Sequence, residues 1–194
     1  SLMSSDAAVV RAIFDDTLAA HRRFADERVD ATVAAADAIA RSLSAGGTLL
    51  AFGNGGSAAD AQHLVAELVG RFEKDRRPFA AVALTADSSV LTTIGNDYGY
   101  EQIFARQIAG LGRRGDVAFG ISTSGRSRNV EVALDAARAA GMLTIALTGR
   151  DGGPIGANAD IHLNVAESST ARTQEVHRTI LHALCAIVEN RLDV

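Results

Sequence analysis

His63 and Glu67 stand four residues apart in the helix-forming stretch 58–69, so both side chains project from one face, with Asp60 close to it. Imidazole and carboxylate suit proton transfer near neutral pH, although an ordinary surface ion pair has the same spacing. Gln174 and His182 lie eight apart in the segment 170–192, within roughly a quarter turn of one another on a helix. The apolar neighbours Ile180, Leu181, Ala183 and Leu184 leave a buried, hydrogen-bonded structural histidine as the plain alternative at His182.

Two turns complete the chemical inventory. Gly53-Asn54-Gly55-Gly56-Ser57 precedes the helical stretch; its glycines let the backbone approach a ligand, and Ser57 is positioned as a helix N-cap beside amides that can face an anion. Ser122-Thr123-Ser124-Gly125-Arg126-Ser127 offers four hydroxyls in six residues at the start of another helix, enough to ring a phosphate without a lysine. An ordinary strand-to-helix turn accounts for the first, and serine capping for the second, only if each is taken alone. The nucleotide P-loop lysine and the dinucleotide glycine spacing are missing from the first, which argues against ATP and NAD.

The elements that must position these groups follow from the hydrophobic pattern. Short apolar runs at 48–52, 80–85, 116–122, 142–148 and 160–165 alternate with segments long enough for helices, which implies a parallel sheet covered on both faces. Ligands in such sheets bind outside the carboxyl ends of the strands, where both turns fall. Ahead of the first strand, 6–44 is alanine-rich without glycine or proline and reads as two helices. The chain divides into N-terminal helices at 1–45, outside the α/β unit but within the same domain, and a unit at 46–194 that carries both turns.

Bulk properties narrow the partners. The 194 residues suit one domain, and 19 basic against 23 acidic side chains leave a net charge of -4, no general attraction for nucleic acid or an anionic membrane. Lys74 is the only lysine, so a phosphate must be met by arginine, hydroxyls or backbone amides. Cys185 is the single cysteine, which excludes an internal disulfide. No apolar run spans a bilayer and no signal-peptide pattern opens the chain, so a soluble cytoplasmic protein is expected; Ser1-Leu2 ahead of Met3 reads as an appended remnant.

The order of strand, Gly-Asn-Gly-Gly-Ser turn, helix, and later a strand ending in Ser-Thr-Ser-Gly-X-Ser resembles the sugar isomerase (SIS) family, and within it the bacterial phosphoheptose isomerases. The resemblance extends over nearly the whole chain and includes Gly95-Asn96-Asp97 and the stretch from Thr148 to Gly153. It implies a flavodoxin-like three-layer α/β/α fold with a central five-stranded parallel sheet and additional N-terminal helices. It also implies interconversion of sedoheptulose 7-phosphate and D-glycero-D-manno-heptose 7-phosphate through an enediolate, supplying ADP-heptose for lipopolysaccharide or capsule.

By the same resemblance, Glu67 is the carbon base and His182 the acid/base at oxygen. His63, Glu67, Gln174 and His182 together hold one zinc ion per subunit. Asn54, Gly55, Gly56, Ser57, Glu67, Asn96, Asp97, Ser122, Thr123, Ser124, Ser127 and Gln174 contact substrate, with Asn96 and Asp97 placed in a loop after the second strand and its helix. A neutral glutamine oxygen is a weak zinc ligand, and a metal-bound carboxylate is a poor base, so Glu67 is expected to rearrange during turnover. Some relatives carry an acidic residue where this chain has Ala171, and Arg71 is placed to reach a phosphate or remain solvated. His21, His162 and His177 join no constellation, and Cys185 reads as core. A homotetramer with interfacial active sites is implied. The alternatives are a non-catalytic SIS scaffold of the kind that binds the replication initiator, which lacks the full catalytic set, and an isomerase for another phosphosugar.

Overall fold

The computed structural model describes residues 2–192; Ser1 of the expected remnant lies outside them, while Leu2 opens the first helix. That helix corrects the sequence reading. Instead of two N-terminal helices, α1 runs unbroken over Leu2–Ser44, 43 residues and so about 65 Å long. Nothing in it interrupts the backbone ladder, and Gly46-Gly47 ends it, with the Gly47 amide donating to the Ser42 carbonyl at 2.8 Å.

The α/β unit follows as β1 (Leu49–Gly53), α2 (Gly56–Val69), β2 (Ala81–Ala83), α3 (Ser88–Tyr98), a single 3-10 turn at Tyr100–Gln102, and α4 (Ala105–Leu111). It continues with β3 (Val117–Ser122), α5 (Arg128–Ala139), β4 (Leu143–Gly149), α6 (Gly153–Asn158), β5 (Ile161–Val165) and α7 (Thr170–Leu192). All five strands pair in parallel in the order β2-β1-β3-β4-β5, the flavodoxin-like order expected. Each expected strand is present, the edge strand β2 being shorter than its apolar run.

Alternation along the strands sorts the core into two layers. Leu49, Ala51, Phe119, Ile121 and Leu147 face a core completed by α1, α2 and α7, whereas Leu50, Phe52, Ala118 and Ala146 face one completed by α3 to α6. Phe52 and Phe119 are wholly buried; each such side chain contributes about 1.5–3 kcal/mol relative to exposure. The second half of α1, from Ala35 to Leu43, belongs to the first of these cores, so that part of the helix is integral to the α/β unit rather than outside it. Before Ala20 no described side chain is buried, and Val9, Val10, Ile13, Phe14 and Leu18 form an exposed apolar stripe.

Strand order reverses direction between β1 and β3, which lie side by side with Gly53 registered against Ile121. A crevice therefore opens at their carboxyl ends, where the glycine turn and the serine turn emerge.

Candidate active site

The serine turn pools its hydroxyls. Ser122 Oγ lies 2.9 Å from Ser127 Oγ and 3.4 Å from Ser124 Oγ, and the Arg126 amide donates to Ser124 Oγ at 3.1 Å. Ser127 is the N-cap residue of α5, but its side chain caps nothing, so hydroxyls and first-turn amides point to the same place. Arg126 forms a two-pronged pair with Asp151 at 2.6 and 2.9 Å, and its hydrogen bonds hold that carboxyl down at about 2. Thr123 turns its carbonyl toward Gly149, where an added Cβ would stand 2.5 Å from it.

In the glycine turn the expected role of Ser57 is corrected. Helix α2 starts two residues earlier, its N-cap is Gly55, no side chain caps it, and Ser57 is buried inside its first turn. A helix start with uncapped amides is still suited to an anion or a sugar oxygen. Asn54 exchanges two amide hydrogen bonds with buried Asn129, both 2.9 Å, and also accepts from the Tyr100 hydroxyl at 3.0 Å. Asn129 thus locks the glycine turn to the serine turn.

Asn96 and Asp97 do not stand in a loop: they occupy the last turn of α3, exposed, with the Asn96 amide donating to the Asp97 carboxylate at 2.7 Å. It is Tyr100, three residues on, that reaches the glycine turn. Arg71 is exposed just beyond α2.

The side chains expected to handle protons come from α2 and α7, which run side by side in the same direction. Residue i of α2 meets i+118 or i+119 of α7: Gly56 backs onto Gln174, Asp60 onto Arg178, His63 onto His182. At Gly56 an added Cβ would come within 2.6 Å of Gln174 Nε2, so a side chain here would displace the Gln174 amide. Buried Asp60 accepts from Arg178 Nε and Nη2 at 2.9 and 2.6 Å, and both line a cavity of about 550 Å³ with Gly56, Ala171 and Gln174.

His63 Nε2 lies 3.1 Å from His182 Nε2 and 3.1 Å from Glu67 Oε1. All three side chains are half-buried, and their ligand atoms lie within 4.8 Å of one another. Two ligand atoms on a tetrahedral zinc are separated by about 3.3 Å, so this donor set fits such an ion in chemistry and spacing. Gln174, the fourth expected ligand, stands two turns earlier on α7 against Gly56.

The remaining histidines are structural partners. His21 reaches Thr179 Oγ1 at 2.8 Å, His162 reaches Thr148 Oγ1 at 2.7 Å, and burial lowers the pKa of His162. Cys185 is buried, which pushes its thiol up to about 12. Asn129, Tyr100 and Arg178 had no local sequence signature, since each acts through a partner distant in the chain.

Comparison with known proteins places this geometry. The SIS domain family model matches residues 14–149. Phosphoheptose isomerase of Neisseria meningitidis serogroup A is 50% identical over 186 residues, covering 94% of each chain, and that of Geobacter sulfurreducens is 57% identical over 157 residues, covering 81% of this chain and 83% of the relative. The structure of phosphoheptose isomerase GmhA from Neisseria gonorrhoeae superposes with a TM-score of 0.91 at 46% identity, over 98% of this chain and 100% of that one. The Francisella tularensis phosphoheptose isomerase gives 0.92 at 38% identity, over 95% and 98%. The chain therefore belongs to the SIS domain family and, within it, to the phosphoheptose isomerases.

Proposed function

We propose that the protein is an aldose–ketose isomerase that converts sedoheptulose 7-phosphate to D-glycero-D-manno-heptose 7-phosphate in the cytoplasm, for ADP-heptose and surface polysaccharide. The observation that carries this reading is the meeting of His63, Glu67 and His182 across α2 and α7, with α2 itself starting from the glycine turn. Phosphate binds the Ser122, Thr123, Ser124 and Ser127 turn, while Asn54, Gly55, Gly56, Ser57, Asn96, Asp97 and Gln174 receive the sugar oxygens. Glu67 removes the proton from C1 of the ketose and returns it to C2; His182 carries the hydroxyl proton from O1 to O2, so the exchange balances without a redox partner. His63, Glu67, Gln174 and His182 would hold one zinc ion per subunit, and bound zinc would polarise the substrate carbonyl.

The active unit is a homotetramer with interfacial sites. The exposed stripe on α1 and the apolar groove of about 350 Å³ between α1 and α7, lined by Phe24, Val29, Val176 and Ile180, support this assembly.

Incubation with sedoheptulose 7-phosphate, followed by NMR, yields the aldoheptose phosphate. Glu67→Gln binds the sugar phosphate but loses several orders of magnitude in turnover; near-normal turnover excludes Glu67 as the base. Chelation abolishes activity and added zinc restores it; full turnover of metal-free enzyme removes the ion from the reaction.

A further inference from the structure

Glu189 lies seven residues beyond His182 on α7, two turns along the same side, with its side chain only 2% exposed. A lone carboxylate there is costly to bury, and it is fully engaged. Its Oε1 accepts from the Phe72 amide at 2.9 Å and Arg76 Nε at 3.1 Å, and its Oε2 accepts from the Glu73 and Lys74 amides at 3.1 and 3.0 Å. The segment following α2 is thus wrapped around one carboxylate of the last helix.

Arg76, its side chain 6% exposed, spends its other donors on the end of α2. Nη2 donates to the Glu67 carbonyl at 2.7 Å, and Nη1 to the Leu68 carbonyl at 2.9 Å and the Gly70 carbonyl at 3.2 Å. Helix α2 has no basic residue in its last turn, so its terminal carbonyls are satisfied by this guanidinium from downstream. The Phe79 ring, 4.1 Å from the guanidinium carbon, covers its face.

Both results of this bonding arrive at the site. The backbone of Glu67 itself is held, and Phe72, whose amide Glu189 fixes, sets its ring 5.4 Å from that of His182, which in turn lies 5.1 Å from that of His63. Neither Arg76 nor Glu189 is exposed enough to meet substrate.

We propose that the Arg76–Glu189 pair is a positioning clamp that fixes the distance between Glu67 on α2 and His182 on α7, with Phe72 as the contact through which it orients the imidazole. This rests on the reading of Glu67 and His182 as the proton-transfer groups.

The test uses the full chain, with Glu189→Gln, Arg76→Lys and Phe72→Leu compared under assay conditions where each is folded. The clamp predicts a kcat loss of roughly 10- to 100-fold, as for slight misplacement of reacting groups. KM for sedoheptulose 7-phosphate stays within about twofold, because substrate contacts are untouched. With ¹³C-labelled histidine, the His182 ring resonance, assigned by its loss in His182→Gln, shifts in all three variants. Folded Glu189→Gln and Arg76→Lys with turnover within about twofold of the parent overturn the proposal, whatever the resonance does. If those two do not fold, Phe72→Leu decides: a kcat-only loss supports the clamp and unchanged kcat overturns it. Should Glu67→Gln keep its turnover, the proton-transfer reading fails instead, and the resonance alone judges whether the clamp sets His182.

Discussion

His177 shows how completely one residue's surroundings fix its proton. It is wholly buried, and its Nε2 lies 2.8 Å from the Thr148 carbonyl, an acceptor only, so Nε2 carries the hydrogen and Nδ1 is left bare without a partner. Burial pushes its pKa down to about 4, against 6.5 for a free histidine. The neutral form is native, so above the unfolded value this group gives no pH dependence. As pH falls from 6.5 toward 4, the unfolded chain takes up a proton that the folded one refuses, and stability declines by an amount on the order of 3 kcal/mol, levelling off below the folded value. Urea unfolding at pH 7 and pH 4.5 measures this, with His177→Leu as reference. The parent loses more stability than the variant over that interval; equal losses show that another group governs acid unfolding.

At the scale of elements, the strands were legible because buried parallel strands are short apolar runs closed by glycine or serine turns, as in 48–52 and 116–122. The two anion-competent turns were legible for the same reason: hydroxyls and glycines fall together in the sequence. Ser57 misled because its type favours a cap, whereas the sharp turn at Gly55 lets the helix begin before it. Asn96 and Asp97 misled because Gly95-Asn96 suggests a stop, yet α3 runs on to Tyr98 and ends at Gly99. The pairs that join one element to another, Asn54 with Asn129, Asp60 with Arg178 and Arg76 with Glu189, have no local spacing to betray them. The serine turn also meets the turn after β4 with little tolerance. Gly125 has φ 68, and a Cβ there would lie 2.1 Å from the Gly152 carbonyl oxygen, so the two turns form one surface with Arg126 and Asp151 closing its outer side.

For the molecule as a whole, α1 has two halves with different tasks. From Ala20 onward it packs on the body, and ahead of that the apolar side chains from Val9 to Leu18 are exposed: Phe14 is 63% exposed and Leu18 65%. Exposed apolar stripes of this kind mark association surfaces. Phe14→Asp combined with Leu18→Asp is expected to lower the native mass measured by light scattering from that of the proposed tetramer to smaller species, with circular dichroism unchanged; a mass equal to that of the parent in the double variant rules this stripe out as the assembly surface.

The side-by-side pairing of α2 and α7 has a bearing on when the protein becomes an enzyme. His63 and His182 meet across 119 positions, so their contact closes a loop spanning most of the chain, a non-local step that local helix formation cannot prepare. During synthesis on a ribosome, the sheet order from β2 to β4 and both anion-competent turns are complete in sequence before α7 has emerged. A nascent chain at that stage carries both turns and Glu67 but not His182. On the roles proposed above, the phosphate cradle is synthesised ahead of the complete set of proton-transfer groups, which waits for the docking of the last helix.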